Sequence, residues 1–164
     1  MIFILSIEQK PWISEYLPDG QKTLVITSCC KKKNEVNLKL KASERYIGQM
    51  FRATKNFADN NQYALLIISA KYGLLKPEDK IDNYNKKIQN KREALELRSK
   101  VVPKLQKIIE NENYSRIIIV LGKLYRFIIE NLFDERFIIL ESRNGIFDYL
   151  KKLGELNRIS KLLT

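Results

Sequence analysis

Thr23-Leu24-Val25-Ile26-Thr27 runs straight into Ser28-Cys29-Cys30-Lys31-Lys32-Lys33, and the reading of the whole chain starts from this passage. A short aliphatic, β-branched run closed at once by polar residues is too short for a buried helix and fits a strand covered on both faces. Leu65 to Ser69 and Arg116 to Leu121 repeat the pattern, and Phe137 to Leu140 continues the rhythm. Between the first two runs, Tyr46, Ile47, Met50, Phe51, Thr54, Phe57 and Ala58 fall on one helical stripe, with Ser43 as its N-cap and Glu44 in its first turn. A second helix is expected from about Arg92 to Glu112. It sets Leu95, Val101, Val102, Leu105, Ile108 and Ile109 on one side, and Pro103 should kink or split it. Short helices fit Lys123 to Leu132 and Ile146 to Leu163.

Strands alternating with helices at this spacing imply right-handed crossovers. The expected fold is therefore α/β: a three-layer α/β/α sandwich with a mainly parallel central sheet of about four or five strands, in a single domain over residues 1–164. Residues 1–20 are expected to add an edge strand at Ile2 to Ile7 and an irregular segment around Pro11 and the Pro18-Asp19-Gly20 turn. The run Leu74 to Lys91 is polar and aperiodic, and reads as a long loop of the kind that carries function.

Composition narrows the chemistry. The 164 residues are 45% apolar, enough for one core, and carry 30 Lys plus Arg against 19 Asp plus Glu, a net charge of +11. Such an excess favours a polyanionic partner. The chain contains no histidine, which excludes Ser-His-Asp and Cys-His catalysis and HExxH zinc sites, so acid–base work falls to carboxylate, Lys, Tyr or Cys. Cys29 and Cys30, the two cysteines, are adjacent, so neither a disulfide framework nor a four-cysteine metal site is available, and a reducing, cytoplasmic setting is expected. The apolar start meets Glu8 and Lys10 too soon for a signal peptide, and no run approaches the ~20 residues of a membrane span. No cofactor and no metal site is implied, although a carboxylate-held magnesium ion stays open.

In a parallel sheet ligands bind beyond the carboxyl ends of the strands, above all where the winding reverses. At that rim the first strand brings Cys29, Lys31 and Lys33. The second brings Ser69, Lys71, Tyr72 and Gly73, the third Gly122 and Lys123, and the fourth Ser142-Arg143-Asn144-Gly145. The cations and helix starts suit a phosphate. Cys29, facing Lys31 and Lys33 near a helix start, would have a depressed pKa and serve as nucleophile, with plain core packing as its alternative. Tyr46, Tyr72 and Tyr84 have the chemistry to stack on a base or donate a proton, although Tyr46 lies on an apolar stripe and defaults to core. Lys86-Lys87 and Lys91-Arg92 form a basic patch, either a solvated face or a nucleic-acid contact. Lone glycines outside any P-loop or G-x-G-x-x-G pattern disfavour triphosphate hydrolysis and dinucleotide binding.

Cys29-Cys30-Lys31-Lys32-Lys33, then Ala42 to Gly48, then Leu66-Ile67-Ile68-Ser69-Ala70-Lys71-Tyr72-Gly73-Leu74-Leu75, then Tyr84 together resemble an uncharacterised family with C-x-K-x-K, L-Y-x-G and S-A-K-Y-G-L motifs. Tyr72 to Asp79 is similar to the Y-G-x-L-R-P-x-D loop of the peroxide-stress YaaA proteins, which are linked to DNA binding and oxidative-stress protection. Cys29, Lys33 and Ser69 to Gly73 resemble the lysine-transfer domain of archaeosine synthase, whose fold is grouped with uracil-DNA-glycosylase-like domains. Lys33-Asn34 stands where that domain has lysine-proline-tyrosine, and Asp82-Asn83-Tyr84 where a proline precedes the tyrosine. The resemblance thus implies a nucleobase site rather than lysine transfer as such.

The functional expectation is a nucleic-acid-associated enzyme with a nucleobase or nucleotide site at the carboxyl edge of the sheet, performing base modification or glycosidic-bond chemistry on tRNA, DNA or a nucleotide. Cys29, Lys33, Ser69 and Lys71 would be catalytic. Lys31, Tyr46, Tyr72, Gly73, Tyr84, Gly122 and Lys123 would bind substrate, and Glu78, Asp79 and Asp82 are the loop carboxylates available to activate water. The alternatives are a non-catalytic DNA- or RNA-binding or stress-protection protein, and an accessory subunit that joins a protein partner in a larger tRNA-modification enzyme.

Overall fold

The computed structural model describes residues 3–5, 22–140, 151, 154 and 155. Its strands are β1 (Phe3–Leu5), β2 (Thr23–Ser28), β3 (Leu40–Lys41), β4 (Ala64–Ser69), β5 (Gly73–Leu75), β6 (Lys80–Ile81), β7 (Arg116–Val120) and β8 (Phe137–Leu140). The helices are the single turn α1 (Ala42–Arg45), α2 (Gln49–Asn60), α3 (Lys91–Glu112) and α4 (Lys123–Ile129), the last continued by a 3-10 turn at Glu130–Leu132. Among the described residues the main sheet has the order β1-β8-β7-β2-β4-β5. Its first five strands are parallel and β5 is antiparallel to β4. β3 and β6 pair as a separate antiparallel ribbon.

Side chains that alternate along each strand explain the layers. Leu24, Ile26, Leu66, Ile68, Ile117 and Ile119 face α3 and α4, burying Leu97, Val101, Leu105, Ile128 and Ile129. Val25, Leu65, Ile118, Val120 and Ile138 face α2 through Phe57 and Ala58. Helices on both faces of a mainly parallel sheet make the expected α/β sandwich. The strand expected at Ile2 to Ile7 is present as β1 beside β8, and the expected strands at Leu65, Arg116 and Phe137 agree with β4, β7 and β8 to within a residue at either end. The expected helix Ile146 to Leu163 and the turn Ser142 to Gly145 lie outside the described residues, apart from isolated positions.

Several local expectations are corrected. The helix between β2 and β4 is broken: α1 stops at Arg45, Tyr46 is extended, and α2 begins after Gly48, so Lys41 and Gly48 rather than Ser43 occupy the N-cap positions. The break exists because residues 32–34 need a partner. Asn34 N–H donates to Arg45 O, and Ile47 N–H to Lys32 O, which closes a bridge between Lys33 and Tyr46. Pro103 does not split α3, whose inner face Ala94, Leu97, Val101, Leu105 and Ile109 is buried on both sides of the proline. Leu95, placed on that face by the sequence reading, is 48% exposed, and Leu97 takes its place, four residues before Val101 on the buried face.

The segment read as a loop after Leu74 is more ordered than expected. Ser69 Oγ accepts from the N–H groups of Lys71 and Tyr72, and Gly73 takes a φ of 75°, so Ser69 to Gly73 is a tight hairpin that folds β5 back on β4. β6 then pairs with β3, and Asn90 caps α3 by accepting from Glu93 N–H at 3.0 Å.

Candidate functional site

The chain leaves β2 toward β4 on one side of the sheet, and after β4 it crosses back to β7 and onward to β8 on the other. The winding therefore reverses between β2 and β7, and the crevice beyond their carboxyl ends is where an open parallel sheet admits ligands. Cys29 follows β2, and Tyr125 lies in the first turns of α4, which follows β7. Their side chains meet across this switch point, with Cys29 Sγ 3.2 Å from Tyr125 Oη.

A cleft of about 690 Å³ opens there, lined by Cys29, Cys30, Lys31, Lys33, Glu93 and Tyr125 together with residues 85–89 of the segment leading into α3. That volume is in the range of small-molecule sites. Among the described residues four lysines, Lys31, Lys33, Lys86 and Lys87, line it against one carboxylate, Glu93. The carboxylate is already engaged, because Glu93 Oε2 accepts from Gln89 N–H at 2.9 Å as part of the α3 cap. The cleft is thus strongly cationic.

Behind Lys33 stands a wall of aromatic hydroxyls. Tyr84 Oη is 2.8 Å from Ser69 Oγ and 2.7 Å from Tyr46 Oη. Since Ser69 Oγ already accepts from two main-chain N–H groups, its own proton goes to Tyr84, and Tyr84 donates onward to Tyr46. The ring of Tyr84 carries the Lys33 ammonium at 4.4 Å and the Lys71 ammonium at 5.8 Å from its centroid, and meets the Tyr72 ring edge-on at 5.4 Å. Tyr46 is only 1% exposed. Burial pushes its phenol up to about 12, against a smaller opposing pull from the Ser69 and Tyr84 hydroxyls. Burial raises Tyr84 and Tyr125 as well, with Cys29 adding to both shifts. All three stay neutral phenols in neutral solution.

The two thiols have different surroundings. Cys30 Sγ donates to Lys32 O at 3.0 Å and accepts from Gly48 N–H at 3.3 Å. Burial raises its thiol, with Gly48 N–H working against that rise. Gly48 is glycine for a steric reason, because a Cβ there would sit 2.9 Å from Cys30 Sγ.

The structure divides the residues singled out in the sequence. Cys29, Lys31 and Lys33 line the cleft. Ser69, Tyr46, Tyr72 and Tyr84 form the wall behind Lys33 and are not lining residues, Lys71 covers that wall from outside, and Gly73 serves the hairpin. Gly122 is the N-cap of α4 and Lys123 its first residue, two positions before Tyr125. Of the loop carboxylates, Glu78 lines a separate cavity of about 330 Å³ at the start of β4, and Asp79 accepts from Lys76 N–H at 2.7 Å to close a turn. Asp82 is likewise not a cleft residue. Tyr125, Asn85 and Gln89 were missed. The signal available for Tyr125 was its place just inside the helix that follows the third strand, beside the Gly122 and Lys123 already chosen.

No described helix is long and apolar enough to cross a membrane. No curated protein and no solved structure matches the chain. Residues 24–146, which run from β2 past β8 and include every described cleft residue, match the family of unknown function DUF6884, and the chain belongs to that family.

Proposed function

We propose that this protein binds nucleic acid at the switch-point cleft and holds one nucleotide there for chemistry on its base. The observation that carries the reading is the convergence of four lysines, from segments some fifty residues apart in sequence, on a cleft floored by a thiol and a phenol. Lys31, Lys33, Lys86 and Lys87 supply the phosphate contacts, and Tyr125 offers an aromatic edge for a base. The net charge of +11 extends the attraction to the flanking phosphates of a polymer. Cys29 is the reactive group nearest the bound base. Ser69, Tyr84 and Tyr46 act at one remove, by fixing Lys33. The motifs resembling the YaaA and archaeosine-synthase proteins agree with a nucleobase site, and two free thiols suit a cytoplasmic enzyme.

The test is a salt titration of fluorescence anisotropy with labelled tRNA, single-stranded DNA and duplex DNA. Binding should weaken steeply with salt, and Lys33→Ala and a Lys86→Ala, Lys87→Ala double variant should each lower both affinity and salt slope, by about one released counterion per lysine lost. Absence of binding to every polymer at moderate salt, or full binding by both variants, overturns the reading.

A further inference from the structure

Within that proposed site the geometry points to a reaction class. We infer that Cys29 and Tyr125 are a nucleophile and proton-shuttle pair that adds reversibly to an electrophilic sp2 ring carbon of a phosphate-bearing substrate. The inference rests on the nucleotide reading of the cleft for its substrate and on local geometry for its chemistry.

Three observations carry it. The two groups come from opposite sides of the switch point and meet at 3.2 Å at the floor of the cleft, where a bound ring would lie. Both groups line the cleft, and either atom can be the donor in the contact between Cys29 Sγ and Tyr125 Oη, so a proton can pass between them. Among the described cleft residues the single carboxylate, Glu93, is engaged in the α3 cap, and the groups that the described lining sets beside a bound ring are a thiol and its hydroxyl partner. The raised phenol of Tyr125 agrees with this, since it keeps its proton until the adduct forms.

The step balances without a further reagent. As the Cys29 sulfur attacks, an S–C bond forms and the π bond between that ring carbon and its neighbour opens. The electron pair is delivered to the neighbouring atom, which takes the Tyr125 proton, while Tyr125 receives the thiol proton. Net, S–H adds across one double bond, and reversal restores thiol, phenol and ring. Cys30 cannot substitute, because its sulfur is held by Lys32 O and Gly48 N–H.

The test measures alkylation of each thiol by mass spectrometry in the folded protein, with Cys30 as internal reference. Anionic iodoacetate should label Cys29 about tenfold faster relative to iodoacetamide than it does in the urea-unfolded chain, because the lysines attract it. Tyr125→Phe should slow Cys29 labelling about fivefold, the worth of one hydrogen bond, and leave Cys30 unchanged. Adenosine and uridine 5′-monophosphates should protect Cys29, with inorganic phosphate at equal concentration protecting less. A Cys29 that reacts no faster than Cys30, or is indifferent to Tyr125→Phe, overturns the pair. If the pair behaves as stated but neither nucleotide protects, the thiol chemistry stands and the nucleotide reading fails.

Discussion

The ammonium of Lys33 lies 4.4 Å from the centre of the Tyr84 ring, while the main chain of Lys33 is bridged to Tyr46, whose hydroxyl is 2.7 Å from that of Tyr84. Lys33 is therefore held at both ends by the same pair of tyrosines. A lysine is a flexible point charge unless something fixes it, and here the fixing costs the site nothing in charge because both phenols are neutral.

Separating ring from hydroxyl at Tyr84 tests this arrangement. Tyr84→Phe keeps the ring under Lys33 but leaves Ser69 and Tyr46 without their partner, and should cost about 1–2 kcal/mol of folding stability. Nucleic-acid affinity should stay within about threefold. Tyr84→Leu removes the ring too and should weaken binding by a further ~1 kcal/mol, about fivefold. Urea unfolding and anisotropy, run side by side, separate the two effects. Equal affinity in both variants would show that the ring does not hold the lysine.

Gly48→Ala pushes a methyl to 2.9 Å from Cys30 Sγ and 3.0 Å from its Cβ. Overpacking of this kind costs about 1–3 kcal/mol. Adding Cys30→Ala removes the sulfur, so the double variant should be more stable than the two single losses added together, with a coupling of at least ~0.5 kcal/mol. Urea midpoints of the four chains in the cycle give that number directly.

Arg45 is fully buried and donates to the carbonyls of Asn34 and Leu38, to Val36 O at 3.0 Å and to Ile81 O at 3.4 Å. It staples the 34–38 segment to the β3–β6 ribbon. Arg45→Met fills much of the volume yet strands those carbonyls, and should destabilise the protein by about 3 kcal/mol or more. Hydrogen exchange should rise first in residues 34–41 rather than in β2 or β4. Uniform loss of protection across the sheet would contradict the local role.

Alkaline pH gives a test with a definite sign. Burial holds Tyr46 at about 12 against an ordinary 10, and raises Tyr84 and Tyr125 in the same direction. The folded chain keeps protons that the unfolded chain releases from about pH 10, so stability is full below that point and falls as pH rises toward about 12. Cys30, raised from 9.0, starts the same decline slightly earlier. Urea midpoints should drop across this window while the ultraviolet phenolate band shows a late-titrating class of tyrosines. A late class that is missing in the folded protein would sink the assignment.

Much of the fold is written in local pattern. β2, β4, β7 and β8 are short aliphatic runs buried on both faces, and such runs announce themselves because no polar position interrupts them. α2 and α3 follow from one-sided apolar spacing, and the register of Leu97 over Leu95 was lost only because two leucines two residues apart both fit a loose stripe. The Ser69 to Gly73 motif was visible too, but its first duty is to the hairpin, which a list of residue types does not reveal.

The sequence by itself determined an α/β sheet, the edge at which its strands deliver polar residues, and an excess of positive charge, because each follows from periodicity and composition along the chain. Only the tertiary structure decided that Cys29 faces Tyr125, that Lys86 and Lys87 join Lys31 and Lys33, and that Glu78 and Asp79 serve elsewhere. Those facts depend on strand order, on the reversal of winding between β2 and β7, and on how one long segment folds back between them. Contacts between positions nearly a hundred residues apart leave no mark on local spacing.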